Sequence, residues 1–339
     1  MKALKVLGMA VGAAMLASPA FAGSTLDEVM DRGAVRCGVS GSLAGFSIPD
    51  SKGVMQGLDA DVCRAVAAAV LGDANAVEFV PLSAQQRFTA LQSGEVDVLS
   101  RNTTWTLTRD TALGLNFTNV TFYDGQGFMV PTSLGVSTAA ELDGAAICVQ
   151  TGTTTEKNLT DYFRATGMSF DPVVFEGFEE SVTAFVNGRC DVYTTDASGL
   201  ASIRVSNVEN PDDYMILPDI ISKEPLGPVT RNDDDEWFDV VKWTVNALLN
   251  AEEMGISSAN VDDMLSSDDP SIQRLLGVSP GMGEAMKINE EWAYNAIKQV
   301  GNYSEIFERH VGADTPLGFE RGVNALWTDG GLMYAPPIR

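Results

Sequence analysis

Two stretches of this 339-residue chain, 94 positions apart, share one pattern: threonine and alanine, an apolar residue, two variable positions, a glycine, two more variable positions, then aspartate and valine. They run from Thr89 to Val98 and from Thr183 to Val192. In each copy the first half has the composition of a helix closed by a glycine, and the aspartate leads into a short strand. A unit repeated once at this spacing predicts two lobes of similar construction. Each strand then enters a polar loop, Arg101-Asn102-Thr103-Thr104 in one copy and Thr194-Thr195-Asp196 in the other. In open α/β sheets ligands bind beyond the carboxyl ends of the strands, so facing lobes put both loops on opposite walls of one cleft.

The rest of the chain agrees with an α/β architecture of mainly parallel sheets flanked by helices. Strand patterns at Ala34–Val39, Ala76–Pro81 and Val96–Ser100 alternate with helical ones at Asp59–Leu71 and Gln85–Ser93. Tyr123–Val130 reads as a strand crossing from one lobe to the other, and Ile221–Val229 as the return. Two crossovers are what hinge closure around a ligand requires. The expected lobes are residues 23–122 with 229–339, and residues 123–228. Asp233-Asp234-Asp235-Glu236 reads as the capped start of a helix from Trp237 to about Glu253, not as a metal site, because acidic residues complement the positive end of the helix dipole. Near the C-terminus, helical pieces near Gly283–Gly301 and at Tyr303–His310 precede a segment expected to pack on the first lobe.

Met1 to Ala22 has Lys2 and Lys5, an apolar run from Val6 to Leu16, and Ala20-Phe21-Ala22, the three parts of a cleaved secretory signal. An uncleaved anchor is the alternative. Without that leader, 20 basic side chains face 46 acidic ones, a net charge of −26. Such a balance excludes nucleic acid and anionic membrane as partners, since either needs a basic face. The single histidine, His310, lowers the prospect of a His-based triad or metal site and reads as a surface or capping residue. Export makes Cys37, Cys63, Cys148 and Cys190 legible as disulfides rather than a zinc site. Three pairings are possible, with four buried thiols as the alternative; Cys37–Cys63 and Cys148–Cys190 keep each bridge within one lobe.

A zwitterionic amino acid needs a fixed cation for its carboxylate and a fixed anion for its ammonium group, and the repeat loops offer Arg101 and Arg109 against Asp196. Gly152-Thr153-Thr154-Thr155-Glu156 adds a helix start with capping-box spacing, whose backbone N–H groups suit a carboxylate.

Over essentially the whole mature chain, and most specifically in the run from Leu91 to Trp105 and in Tyr123–Val130, Gln150–Glu156 and Ile221–Pro228, the sequence resembles the periplasmic substrate-binding proteins of polar amino acid ABC transporters, most closely the general L-amino acid-binding type. The resemblance implies the two-lobed type II periplasmic-binding-protein fold, binding of free L-amino acids, and delivery to the membrane permease of an ABC transporter by a monomer without cofactor or catalysis. It assigns the α-carboxylate to Arg109, twelve positions after Asp97, and the ammonium group to Asp196, with Asn102, Thr104, Thr153 and Thr154 as further contacts and Phe46 as an aromatic near the cleft. Leu43 departs from the pattern, standing where many relatives carry a stacking aromatic. Arg101 stands where smaller residues are common, which points it at the ligand side chain and favours glutamate, glutamine, aspartate and asparagine; a salt bridge to a neighbouring residue is its other reading. Two further functions fit such a fold: an exported dehydratase acting on cyclic carboxylates such as arogenate, and a sensory ligand-binding module. The cleft loops offer mostly threonine and asparagine, which argues against the first.

Overall fold

The aspartate of the repeat has one task, performed twice. In the computed structural model, which describes residues 24–339, the Asp97 carboxylate accepts the Arg36 N–H at 2.7 Å and the Asp191 carboxylate accepts the Ala146 N–H at 2.9 Å. Each aspartate N–H donates back to the same residue's carbonyl at 2.8 Å. Gly94 and Gly188 precede them with φ of 77° and 74°, the left-handed turn that closes a helix and that glycine adopts without steric cost. The repeat is therefore a device for fastening one strand of a sheet to the next. The expected secretory leader, residues 1–22, lies outside the described residues.

In the first lobe α1 (Thr25–Arg32) leads to β1 (Val35–Val39) and a small hairpin of β2 (Ile48–Pro49) and β3 (Met55–Gln56). Then follow α2 (Leu58–Leu71), β4 (Val77–Pro81), α3 (Gln86–Gln92), β5 (Val98–Leu99), α4 (Leu107–Thr111) and β6 (Leu115–Phe117). The chain crosses through β7 (Phe122–Asp124) into β8 (Gln126–Pro131). The second lobe continues with β9 (Ala146–Gln150), α5 (Thr154–Thr166), β10 (Asp171–Phe175), α6 (Phe178–Val186), β11 (Val192–Asp196), α7 (Ala197–Ser206) and β12 (Tyr214–Ile216). It returns through β13 (Glu224–Leu226) to β14 (Val229–Arg231).

The two sheets have the same plan. Strand order is β4-β1-β5-β14-β6 in one and β10-β9-β11-β8-β12 in the other. In each, four strands share a direction and the fifth, supplied by a crossing segment, runs against its neighbours. The crossovers pair with each other, Glu224 opposite Asp124. Neither is the unbroken strand that its apolar pattern predicts. Gly125 interrupts the first, where a Cβ would stand 2.4 Å from Ile220 Cγ2. Gly227 and Pro228 interrupt the second: a Cβ on Gly227 would meet the Asn119 carbonyl oxygen at 1.8 Å, and proline has no N–H for a ladder.

Alternation along the strands divides the second core in two. Phe128, Val130, Ile147, Val149 and Val192 face α5, while Met129, Cys148 and Tyr193 face α6 and α7. The first core is larger because α8 (Asp235–Glu253) and the later helices add to it. These are α9 (Val261–Met264), α10 (Pro270–Leu275), α11 (Met282–Ala285), α12 (Trp292–Val300) and α13 (Tyr303–His310). The acidic run before α8 caps it: Asp234 accepts the Trp237 N–H at 3.2 Å and the Thr25 N–H at 3.0 Å. The C-terminal segment packs on this lobe through Leu326, Met333, Ala335 and Ile338. Its Asn324 side chain brackets Tyr123 in the crossover, accepting from the N–H at 2.7 Å and donating to the carbonyl at 3.1 Å.

Disulfides join Cys37 of β1 to Cys63 of α2, and Cys148 of β9 to Cys190 beside β11. His310 stands in the last turn of α13, as the capping reading has it, but not free on the surface: its side chain is 8% exposed, with Nε2 2.6 Å from the Asp61 carboxylate, which also takes Arg309 at 2.6 Å and Arg64 at 2.8 Å. Burial pushes the Asp61 carboxyl up, but the His310 bond and the Arg309 charge outweigh it and hold the group at about 2.

Candidate ligand-binding site

In a sheet of this kind a strand ends, a loop turns, and the next helix begins, all at one edge. Every residue around the cavity between the lobes comes from that edge. The cavity measures about 510 Å³, its mouth included. On the first lobe Ser40 and Leu43 follow β1, Arg87 lies in the first turn of α3, and Arg101, Asn102 and Thr104 follow β5. On the second, Gln150 and Thr153–Thr155 join β9 to α5, Phe178 opens α6, and Thr195, Asp196 and Gly199 join β11 to α7.

Asn102 has a positive φ of 34°, a conformation that asparagine tolerates better than most residues. Its N–H is held by the Asp59 carboxylate at 2.7 Å, and the Ser100 hydroxyl donates to the other oxygen at 3.2 Å. Burial lifts Asp59 to about 6 against those two bonds and the Arg101 charge. The same loop is tied to the return crossover: the Trp105 N–H donates to the Pro225 carbonyl at 2.8 Å, and the Gly227 N–H to Thr103 at 3.1 Å.

Across the cavity the Thr153 hydroxyl accepts the Glu156 N–H at 3.1 Å, the cap expected from the sequence. The reciprocal bond shifts by one residue: Glu156 accepts from the Gly152 N–H at 3.0 Å. The first N–H groups of α5, on Thr154 and Thr155, have no intrahelical acceptor and face the cavity edge with the positive end of the helix dipole. The Thr154 hydroxyl donates to Glu224 of the return crossover at 2.9 Å, and Asn158 donates to the other oxygen at 2.7 Å.

Three arginines converge here. Arg101 donates from Nε to the Leu82 carbonyl at 2.9 Å. Arg109 adjoins the wall, donating from Nη1 to the Thr104 carbonyl at 2.9 Å, with its guanidinium carbon 5.0 Å from the centre of the Phe88 ring. Arg87 lies against the same ring at 4.8 Å. Among the described residues none of the three forms a salt bridge, so Arg101 lacks the ion pair that was its alternative reading. Burial lowers both Arg101 and Arg109 to about 10. Arg87 is lowered further, by burial and by the other two charges. On the opposite wall, burial and the carboxylates of Asp124 and Glu224 push Asp196 well above the usual carboxyl range. The cavity wall thus carries buried groups of both signs whose charged forms burial disfavours, a set that a zwitterion complements.

Of the residues singled out by sequence, Leu43, Arg101, Asn102, Thr104, Thr153, Thr154 and Asp196 stand on the wall and Arg109 adjoins it. Phe46 does not: it is buried in the first core, edge-on to Phe122 with ring centres 5.3 Å apart. Sequence reasoning passed over Arg87, Gln150, Phe178 and Glu224. The first turn of a helix that follows a strand was the available signal for Arg87 and Phe178.

The model of the bacterial extracellular solute-binding proteins, family 3, matches residues 35–313. The chain belongs to that family. As a family 3 solute-binding protein it is 57% identical over 339 residues to the general L-amino acid-binding periplasmic protein AapJ of Rhizobium johnstonii, covering 99% of each chain. It is 55% identical over 340 residues, covering all of both chains, to the glutamate/glutamine/aspartate/asparagine-binding protein BztA of Rhodobacter capsulatus. Among solved structures, an ABC transporter periplasmic binding protein from Brucella ovis with glutathione bound superimposes with a TM-score of 0.91 at 54% identity, over 94% of this chain and 100% of that one. The Brucella protein shares the fold, and the two curated relatives are binding proteins.

Proposed function

We propose that this protein binds free L-amino acids in the periplasm, after removal of residues 1–22, by closing the lobe 123–228 onto the lobe 23–122 with 229–339, and presents the closed complex to an ABC transporter permease. The observation that carries this reading is the placement of buried arginines on one lobe and buried Asp196 on the other, on opposite sides of one cavity. In it Arg109 takes the α-carboxylate with Asn102, Thr104 and the Thr153–Thr154 helix start, Asp196 takes the ammonium group, and Leu43 lines the apolar side. Arg101 faces the ligand side chain and favours acids and amides, in keeping with the ligands named for BztA. The ligand shifts an open and closed equilibrium by the contacts it makes only when both walls are in place.

A second reading concerns ligand size. Glutathione, bound in the Brucella structure, carries at its γ-glutamyl end the same free α-amino and α-carboxylate groups, so it belongs beside the amino acids in any test. The test is calorimetric titration of protein stripped of ligand by unfolding and refolding. Saturable binding of L-amino acids and rejection of their D-forms is the expected result. Binding of no amino acid sinks the reading, and turnover of arogenate or prephenate replaces it with catalysis.

A further inference from the structure

We propose that Arg87 binds a second anionic group of the ligand, so that the site takes amino-acid-headed dicarboxylates in preference to their amides. This rests on the amino-acid reading above and assigns one more specificity-determining residue to the same cavity.

The zwitterionic head group uses one arginine and one aspartate. Arg109 and Asp196 satisfy it, which leaves Arg87 and Arg101 on the wall with no salt bridge among the described residues. They are not equally free. The Arg101 Nε is committed to the Leu82 carbonyl, and Nη1 reaches Asn102 Oδ1 at 3.4 Å. Among the described residues Arg87 has one long bond, from Nη1 to the Arg101 carbonyl at 3.5 Å, and its buried Nε has no partner. The side chain is 3% exposed, so bulk solvent scarcely reaches it. A guanidinium has five N–H donors, and burying it nearly unbonded beside two like charges is costly unless something supplies the acceptors. Its guanidinium carbon lies 4.8 Å from the centre of the Phe88 ring, and an arginine packed on an aromatic face keeps its planar fork free to receive a carboxylate through two parallel bonds.

Carboxylate and amide differ here in a way that Arg101 alone does not resolve. An amide offers one acceptor oxygen and would aim its NH2 donors at a donor-only fork, whereas a carboxylate offers two acceptors and a charge that offsets the repulsion among the three arginines. The geometry favours glutamate over glutamine for that reason.

The test uses the full mature chain, stripped of ligand, titrated with glutamate, glutamine and leucine. Wild type binds glutamate more tightly than glutamine. Arg87→Met weakens glutamate by about 30-fold or more, the loss of a charge-assisted pair, and leaves leucine within about 3-fold. Arg87→Lys restores part of the glutamate affinity because it keeps the charge and loses the fork. Leucine binding also certifies that a variant is folded; if Arg87→Met does not fold, Arg87→Lys carries the test through a narrowed preference for glutamate over leucine. Equal weakening of all three ligands means that Arg87 only supports the wall, and unchanged glutamate affinity means that it does not reach the ligand. Either result overturns the proposal. Wild type that binds none of the three defeats the amino-acid reading itself, a distinct outcome.

Discussion

The hydroxyl of Thr104 on the first lobe lies 3.3 Å from the hydroxyl of Thr154 on the second. The lobes therefore meet at hydrogen-bond distance, and the contact joins a strand-end loop to a helix start. Gly152 lies in the same seam with φ of 75°, where a Cβ would come within 2.8 Å of Gln85 Cγ. Gly152→Ala should weaken amino acid binding on the order of 10-fold, combining the strain of a left-handed alanine with a contact that exists only between closed lobes. Calorimetry checks the affinity, and small-angle scattering with ligand checks whether the variant closes. Wild-type values in both would remove the seam from the mechanism.

Arg109→Ala and Asp196→Ala should each abolish measurable binding while the melting temperature of the ligand-free protein stays within a few degrees of wild type. Both side chains are buried with their charges penalised, so deleting either removes an electrostatic cost along with its contacts. Intact binding in either variant contradicts the assignment.

Acidity should loosen the ligand. The Asp196 carboxyl is raised by burial, then by Asp124 and Glu224, and an ammonium group beside it favours the charged form. A raised carboxyl contributes stability below its ordinary value and loses that contribution as pH rises through the folded value. The ligand-free state is thereby penalised at pH 8 and relieved at pH 5. The rise in melting temperature on adding ligand should be larger at pH 8, and titration in two buffers of different ionisation heat should reveal proton release. A pH-independent affinity between these values would count against the ionised Asp196.

The hinge has a brace far away in sequence. Asn324→Ala removes two hydrogen bonds to the Tyr123 backbone and leaves a half-buried peptide group unpaired, at about 1 to 3 kcal/mol. Chemical denaturation should report the loss, and Asn324→Asp, which keeps only the acceptor, should fall between. No change in either would mean that the C-terminal segment is held by its apolar contacts alone.

The architecture was legible wherever local chemistry had one solution. A glycine closing a helix, followed three residues later by aspartate, recurs because both lobes fasten their sheets by the same carboxylate-to-backbone bond. The cap at Thr153 was legible for a similar reason, as hydroxyl and N–H lie three residues apart on one helix. Arg87, Glu224 and the breaks at Gly125 and Gly227 were not. Each is decided by a partner distant in sequence: a cavity assembled from six loops, a threonine 70 positions earlier, and the Ile220 side chain and Asn119 carbonyl. Phe46 sits three residues from a wall residue, yet the loop turns it into the core against Phe122. His310 failed as a surface residue because Asp61, nearly 250 positions earlier, draws it inward.

The placement of β14 sets an order of assembly. The second sheet is complete within residues 126–216, whereas β6 of the first pairs with β14, so that Leu115–Phe117 has no neighbouring strand until Val229–Arg231 exists. Local closure is fast and distant closure slow. Amide protons of β8, β9 and β11 should therefore gain protection from exchange ahead of those in β6 when the denatured chain refolds. A chain threaded outward from its N-terminus would close its middle sheet while one strand of the first, Leu115–Phe117, still waited at the edge for the segment that comes back.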